Sequence, residues 1–399
     1  MNPWPIALVA LRRGWRAACA MVLLVALATA MGISVGALER ATRRAAAQAA
    51  DAFDLVVGAP GGATQLVMTS VYLQPDTVPL LDGAILARVM AEPEAVWASP
   101  IGFGDQWHGH PVIGVAPDFV TRGGTRMPTA GRVFGAEEEA VIGAEVPLQL
   151  GEKISPQHGL VEVPGGHVHS EIAYEVVGRL PRTGTPWDGA IMVPIESVWE
   201  LHGLGNGHPA GVERVGPPWE VPSGVPAVVV KPRSFAGAYQ LRARYRTDRS
   251  TAIFPGEVLV SLFRTLGDVR ALLSAMALAT SALVVGAVFL AFSALLSARA
   301  REHAVLRAIG ASPGYILAAL WMELGTILAA AVVLGTLLGW VAARIAATVL
   351  GRAAGLSMTV LLGWDEVMLA GAILAAGLVA AAAPALLGLR AAPGALLKG

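Results

Sequence analysis

The stretch ALLSAMALATSALVVGAVFLAFSALLSA, residues 271–298, carries no Asp, Glu, Lys or Arg over 28 positions. At 1.5 Å per helical residue it is long enough to cross a hydrocarbon core of about 30 Å with some tilt. Three more stretches read the same way. Residues 17–38 are uncharged, residues 313–343 hold one acid, Glu323, and residues 367–389 are uncharged with Pro384 near their end. The reading is four membrane-spanning helices arranged as one, then a long insertion, then three. The fold class is therefore an α-helical membrane protein with an inserted extracytoplasmic domain.

Composition agrees. Only 15% of the 399 residues are charged and 55% are hydrophobic, against about 25% charged in an ordinary soluble domain. The deficit is concentrated in the four stretches, whereas residues 39–270 have ordinary polarity. This excludes a purely soluble enzyme and a disordered chain. The formal net charge is zero, so no basic face for nucleic acid is expected. One cysteine, Cys19, excludes an intrachain disulfide and a four-cysteine zinc site. Ala28-Thr29-Ala30 resembles a signal cleavage site, but the apolar run around it exceeds the 7–15 residues of a signal peptide, and an uncleaved anchor is expected.

The 232-residue insertion, 39–270, begins with strong helix formers (39–52) and ends in a second helical approach (257–270). Between them, short β-rich runs at 112–115, 140–142, 174–177, 190–193 and 227–230 are separated by Gly and Pro. This predicts a mixed α+β domain. Sidedness is not decided by charge: near the span ends, eight basic residues fall on one side and seven on the other.

Between the second and third spans, residues 299–312 read RAREHAVLRAIGAS. A short helix is expected, ended by Gly310, with Ser312 and Pro313 starting the next. Val305, Leu306 and Ile309 share one side. A solvated basic loop is the plain alternative. In the third span, Glu323 is either a hinge or inter-helix contact, or a solvated acid on an interfacial segment. Gly335 and Gly339 form a G-x-x-x-G pair, expected to pack against the fourth span or a partner protomer. Seven of the eight histidines fall in the insertion. His108-Gly-His110 and His167-Val-His169-Ser-Glu171 would place alternate side chains on one face if extended. Imidazoles with a carboxylate suit Zn2+, making His167, His169 and Glu171 candidate ligands. The alternative is a solvated loop. No convergent arrangement for nucleophilic or acid–base catalysis is visible.

The run Arg301-Glu-His-Ala-Val-Leu-Arg307-Ala-Ile-Gly310, with Glu323 and the tail from Pro384 to Lys398, resembles the cytosolic loop and flanking spans of FtsX/MacB-type ABC transporter permeases. Phe53 to Gly58, Gly131 to Phe134, Val141 to Gly143, Val176 to Gly178 and Thr183 to Asp188 resemble the MacB periplasmic core. The resemblance implies a cytosolic N-terminus (1–16), a first span (17–38), a periplasmic domain (39–270) and an FtsX-like permease domain (271–398) in a bacterial inner membrane. It implies a non-catalytic subunit, dimeric with itself or a paralogue and surrounded by membrane lipid. A separate ABC ATPase would use ATP and Mg2+, since this sequence holds no G-x-x-x-x-G-K-[ST] loop. An adaptor or lipoprotein in the periplasm completes the implied partners, and the chain itself binds no cofactor. By analogy Arg301, Glu302, Leu306, Arg307 and Gly310 dock into the ATPase. Export or lipoprotein extraction, regulation of a cell-wall hydrolase, and metal handling are the functional readings left open.

Overall fold

The computed structural model describes residues 2–158, 167–168, 173–209, 211–212, 214–264 and 300–390, with scattered positions between 275 and 294. The second predicted span therefore lies largely outside the described residues. The chain divides into two compact units. One comprises Met1–Thr42, Leu266–Val349 and Met358–Gly399; the other comprises Arg43–Thr265 and Leu350–Ser357.

The first unit is helical. α1 (Trp4–Arg13) is a short helix turned at Gly14 into α2 (Trp15–Asp51), whose last nine residues belong to the second unit. α9 (Ala300–Ala308) precedes α10 (Pro313–Ala354), and α11 (Trp364–Arg390) follows. α2 and α10 are long and apolar enough to cross a membrane. Both extend well past the uncharged stretches, because Ala-rich flanks keep helix propensity high after the apolar pattern ends. The backbone of α11 stays helical through Pro384; the ring removes one backbone donor, a loss that membrane helices tolerate.

Small residues decide how these helices meet. Ile33, Ala37, Ala41, Ala45 and Ala49 of α2 recur every four residues and are each at most 3% exposed. Ala37 and Ala41 pack with Ala343 and Ala347 of α10 and with Val360. Larger side chains fill the rest: Met21 and Val25 meet Ile316, Leu320, Leu324 and Leu328 of α10 and Ile373 of α11. Elsewhere on these helices apolar side chains face outward. Val333, Ile345 and Val379 are 60–71% exposed, a surface suited to lipid and costly in water.

The second unit is built on one mixed sheet. Its principal strands are β1 (Leu55–Gly58), β2 (Ala95–Trp107), β3 (His110–Val115), β5 (Glu139–Ile142), β9 (Tyr174–Arg179), β10 (Ile191–Pro194), β11 (Ala227–Pro232) and β12 (Thr251–Ile253). The short strands β4 (Ala130–Gly131), β6 (Lys153–Ile154), β7 (Gln157–His158) and β8 (His167–Val168) attach at its margins. The order is β12-β1-β11-β2-β3-β10-β5-β9-β4, antiparallel except for β3/β10 and β5/β9. All five β-rich runs of the sequence fall in these strands.

Those runs are continuously apolar because both sheet faces are covered. Leu55, Val57, Val112, Ile191, Val228 and Val230 point to one core, which α4 (Gly83–Met90), α6 (Ile195–Leu201) and α7 (Phe235–Arg244) complete. Val56, Ile113, Met192 and Val229 point to the other core. It holds the end of α2, α3 (Ala63–Ser70), α5 (Pro117–Thr121) and the helical residues 255–264 (α8). The unit is a three-layer helix–sheet–helix sandwich. Leu356, from the second contributing segment, packs on the second core.

Candidate functional site

The segment between the apolar helices folds as its caps dictate. α9 stops where Gly310 takes φ 98°, a left-handed conformation that a side chain would oppose. The Gly310 and Ala311 amides donate back to the Arg307 and Leu306 carbonyls. Ser312 then caps α10, its Oγ accepting from the Tyr315 amide at 3.2 Å, with Pro313 in the first turn.

The residues singled out in this segment are not equivalent. Leu306 turns inward against the core of the helical unit, and so does Ala311. Glu302 is exposed and accepts from Arg13 Nη1 of α1 at 3.0 Å. Arg307 is half-buried. Val305 and Ile309, one helical turn apart, are 47% and 76% exposed. Leu306 therefore does not share their outward side, as the helical wheel had implied; packing on Met21 and Ile316 rotates it inward. The outward face is an apolar pair flanked by a carboxylate, and only the tertiary contacts separate it from Leu306. The α1–α9 ion pair was also not anticipated, since nothing local links Arg13 to Glu302.

Glu323 is 4% exposed. It lines a small cavity of about 60 Å3 with Ile6, Ala7 and Ala10 of α1, and with Glu302, Leu306 and Tyr315. The solvated alternative for this acid is thus overturned: α1 covers it. α10 is helical from Pro313, so Glu323 lies within that continuous helix.

Gly335 and Gly339 pack against α2, not against the fourth apolar segment or another protomer. A Cβ on Gly335 would lie 2.5 Å from the Ala26 carbonyl oxygen, and one on Gly339 would lie 2.6 Å from that of Ala30. The reason is complementarity of small residues: α2 offers Ala26, Thr29 and Ala30 on the facing side, so the backbones close up. Near the far end of the same helices Arg40 of α2 pairs with Asp365 and with Glu366, which is 3% exposed, at the start of α11. Glu366 also accepts from the Gly363 amide at 2.8 Å. Residues over 300 positions apart gave no local signal of this pair.

In the sheet unit, the Thr183–Asp188 turn is organised by one carboxylate. Asp188, 3% exposed, accepts from the amides of Thr183 and Gly184 at 2.8 and 2.7 Å and from the Thr183 hydroxyl at 2.7 Å. The turn is also gripped from outside. Gln48 Nε2 donates to the Thr183 carbonyl, and the Ser357 amide to that of Gly184. A second buried acid, Glu196, accepts from Trp219 Nε1 at 2.6 Å and from the Gly216 amide at 2.7 Å, and burial raises its pKa. Nearby, burial first and the Glu200 charge second push the Glu137 carboxyl up to about 7.

His108-Gly109 is the two-residue turn of the β2–β3 hairpin, with φ 46° and 84°, so His108 and His110 do not extend along one strand. His110 Nδ1 bonds the Gly189 carbonyl oxygen at 2.8 Å. Of the candidate ligands His167, His169 and Glu171, only His167 has a described backbone, in β8; His169 and Glu171 lie outside the described residues. Among the described residues no three His, Cys, Asp or Glu side chains group as a metal site.

Among the described residues two helices, α2 and α10, are long and apolar enough to cross a membrane, and α9, with its exposed side, directly precedes α10. Residues 274–393 match the family described as FtsX-like permease C-terminal. That stretch is thus similar to an FtsX-like permease domain, and members of that family generally act with an ABC ATPase. No curated protein matches the chain.

Proposed function

We propose that this chain is the transmembrane subunit of an ABC transporter in a bacterial inner membrane. It has four spans and residues 39–270 lie in the periplasm, in a dimer with itself or a paralogue. A separate ATPase burns ATP with Mg2+, and the chain itself is not an enzyme. In this reading α9 is the element that seats in the ATPase, and closure of the ATPase moves the spans and the sandwich domain. Work is then done on an exported substrate, lipoprotein or peptide outside the bilayer, with an adaptor or lipoprotein as periplasmic partner.

The observation that supports the reading is the exposed pair Val305 and Ile309 beside Glu302, at the end of a helix stopped by Gly310 and anchored by Leu306. An exposed apolar pair on a firmly held helix fits a groove in a partner. Arg301, Glu302, Arg307 and Gly310 would frame that contact. The test is to copurify the full chain with its ATPase and measure hydrolysis. Val305→Asp with Ile309→Asp, and separately Glu302→Ala with Arg307→Ala, should reduce chain-stimulated hydrolysis about tenfold or more, a loss near 1.4 kcal/mol. Membrane insertion should be unchanged. Full stimulation in both variants refutes the assignment.

A further inference from the structure

We propose that a cavity between α4, α7 and the turn at residues 245–250 binds a small zwitterion, a carboxylate and an ammonium carried by one molecule, as in an amino acid or short peptide. The cavity lies wholly within the sandwich unit and has a volume of about 510 Å3. Ligand sites usually measure about 300–1,000 Å3. Buried Ile85, Tyr245 and Ser250 back it, while Arg88, Arg244, Asp248 and Arg249 are exposed around it.

The charged groups of the cavity are of two kinds. Arg244 pairs with Glu92, whose other oxygen accepts from the Tyr245 hydroxyl at 2.6 Å, and Arg249 pairs with Asp82 at 3.0 Å. These charges are neutralised within the protein. Arg88 and Asp248 also line the cavity, and among the described residues neither makes an ion pair. Arg88 Nε donates to the Ala84 carbonyl one turn back at 3.4 Å. Both Nη groups are left to fork onto a carboxylate, and Asp248 is left to accept from an ammonium. One free cation and one free anion match a ligand of no net charge better than a phosphate dianion or a bare amine.

The backbone and the hydroxyls support the same ligand. α4 and α7 both end here, since their C-caps, Ala91 and Tyr245, line the cavity. Helix C-termini carry partial negative charge and favour a cation, which suits the ammonium. Thr247 Oγ1 accepts from the Arg249 and Ser250 amides, both at 3.2 Å. With its two lone pairs taken, Thr247 donates in its 2.9 Å contact with Ser250 Oγ, so the Ser250 proton is free for a carboxylate. The site depends neither on ATPase coupling nor on sidedness, and its readout is separate from both.

The test titrates alanine, dialanine and trialanine into the full chain in detergent micelles by calorimetry, with melting temperature as a second readout. The expected result is saturable binding of one ligand per chain and a ligand-dependent rise in melting temperature. N-acetyl-dialanine lacks the ammonium and dialanine amide lacks the carboxylate. Each should bind about tenfold or more weakly, as for loss of a hydrogen bond to a charged group. Arg88→Gln and Asp248→Asn should each weaken dialanine to the same extent, and Asp248→Asn should no longer distinguish dialanine from its N-acetyl form. Both positions are exposed, so the variants should melt like the parent without ligand. Alanine binding as well as dialanine assigns a free amino acid; preference for the longer forms assigns a short peptide. Absence of saturable binding by all three overturns the site. Equal binding of the single-charge analogues, or undiminished binding in both variants, does the same.

Discussion

Asp188 holds its turn by accepting three hydrogen bonds with one buried carboxylate. Bonds to a charged acceptor contribute about 1.5–3 kcal/mol each, and the donors left behind would be buried without partners. Asp188→Ala should therefore cost the sandwich unit about 3 kcal/mol or more, read as a clear drop in melting temperature. The Arg13–Glu302 pair behaves oppositely. Its side chains are 77% and 53% exposed, and exposed ion pairs are worth about 0–1 kcal/mol. Arg13→Ala should leave thermal stability nearly unchanged. Any large effect of Glu302→Ala on ATPase coupling then reports docking and not folding. Glu137 supplies a pH test. Its carboxyl sits at about 7 when folded against an ordinary 4.5, so the folded state holds the proton more firmly. The stability it contributes is complete below about pH 4.5 and is lost as pH rises through 7. Glu137→Gln should flatten the melting-temperature profile across that window, and an unaltered profile would exclude this group as its source.

At the scale of elements, the contact between α2 and α10 is set by glycine, not by bulk. With a Gly339 Cβ only 2.6 Å from the Ala30 carbonyl oxygen, any side chain forces the helices apart. Gly339→Leu should destabilise the helical unit by about 1–3 kcal/mol, the usual range for overpacking. Gly371, which has open space around it, is the control: Gly371→Ala should be neutral or slightly stabilising. Both are measurable by thermal unfolding in the same micelle. The G-x-x-x-G spacing was legible in the sequence, but not its partner, because α2 and α11 are both rich in small and apolar residues. The end of α9 and the start of α10 were fully legible. Gly310, Ser312 and Pro313 act through bonds within four residues, so no distant contact was needed to place them.

For the whole molecule, the proposed sidedness is testable through the single cysteine. In a Cys19→Ala background, Asp248→Cys on the sandwich unit should react with a membrane-impermeant maleimide added outside spheroplasts. Ala308→Cys on α9 should react only after permeabilisation. Both positions are exposed, so equal labelling from outside would end the transport reading. The division of the chain is less simple than a single insertion. Residues 350–357 belong with the sandwich unit, where the Ser357 amide reaches the Gly184 carbonyl. Composition hid this, because the eight residues from Leu350 to Ser357 look like the end of an apolar helix followed by a turn.

Uncharged length, helix propensity, short β-rich runs between Gly and Pro, and cap residues are properties of neighbouring residues, and they add up along the chain. By themselves they determined the long apolar helices, the capped α9, the strand positions and the membrane setting. The pairings were decided only in three dimensions: Gly335 and Gly339 against α2, α1 over Glu323, and Arg40 on Glu366. Each joins positions whose sequence separation carries no energetic signal. Each depends on which surfaces close-pack and which polar groups must then find partners, and that is settled only when the whole chain has folded.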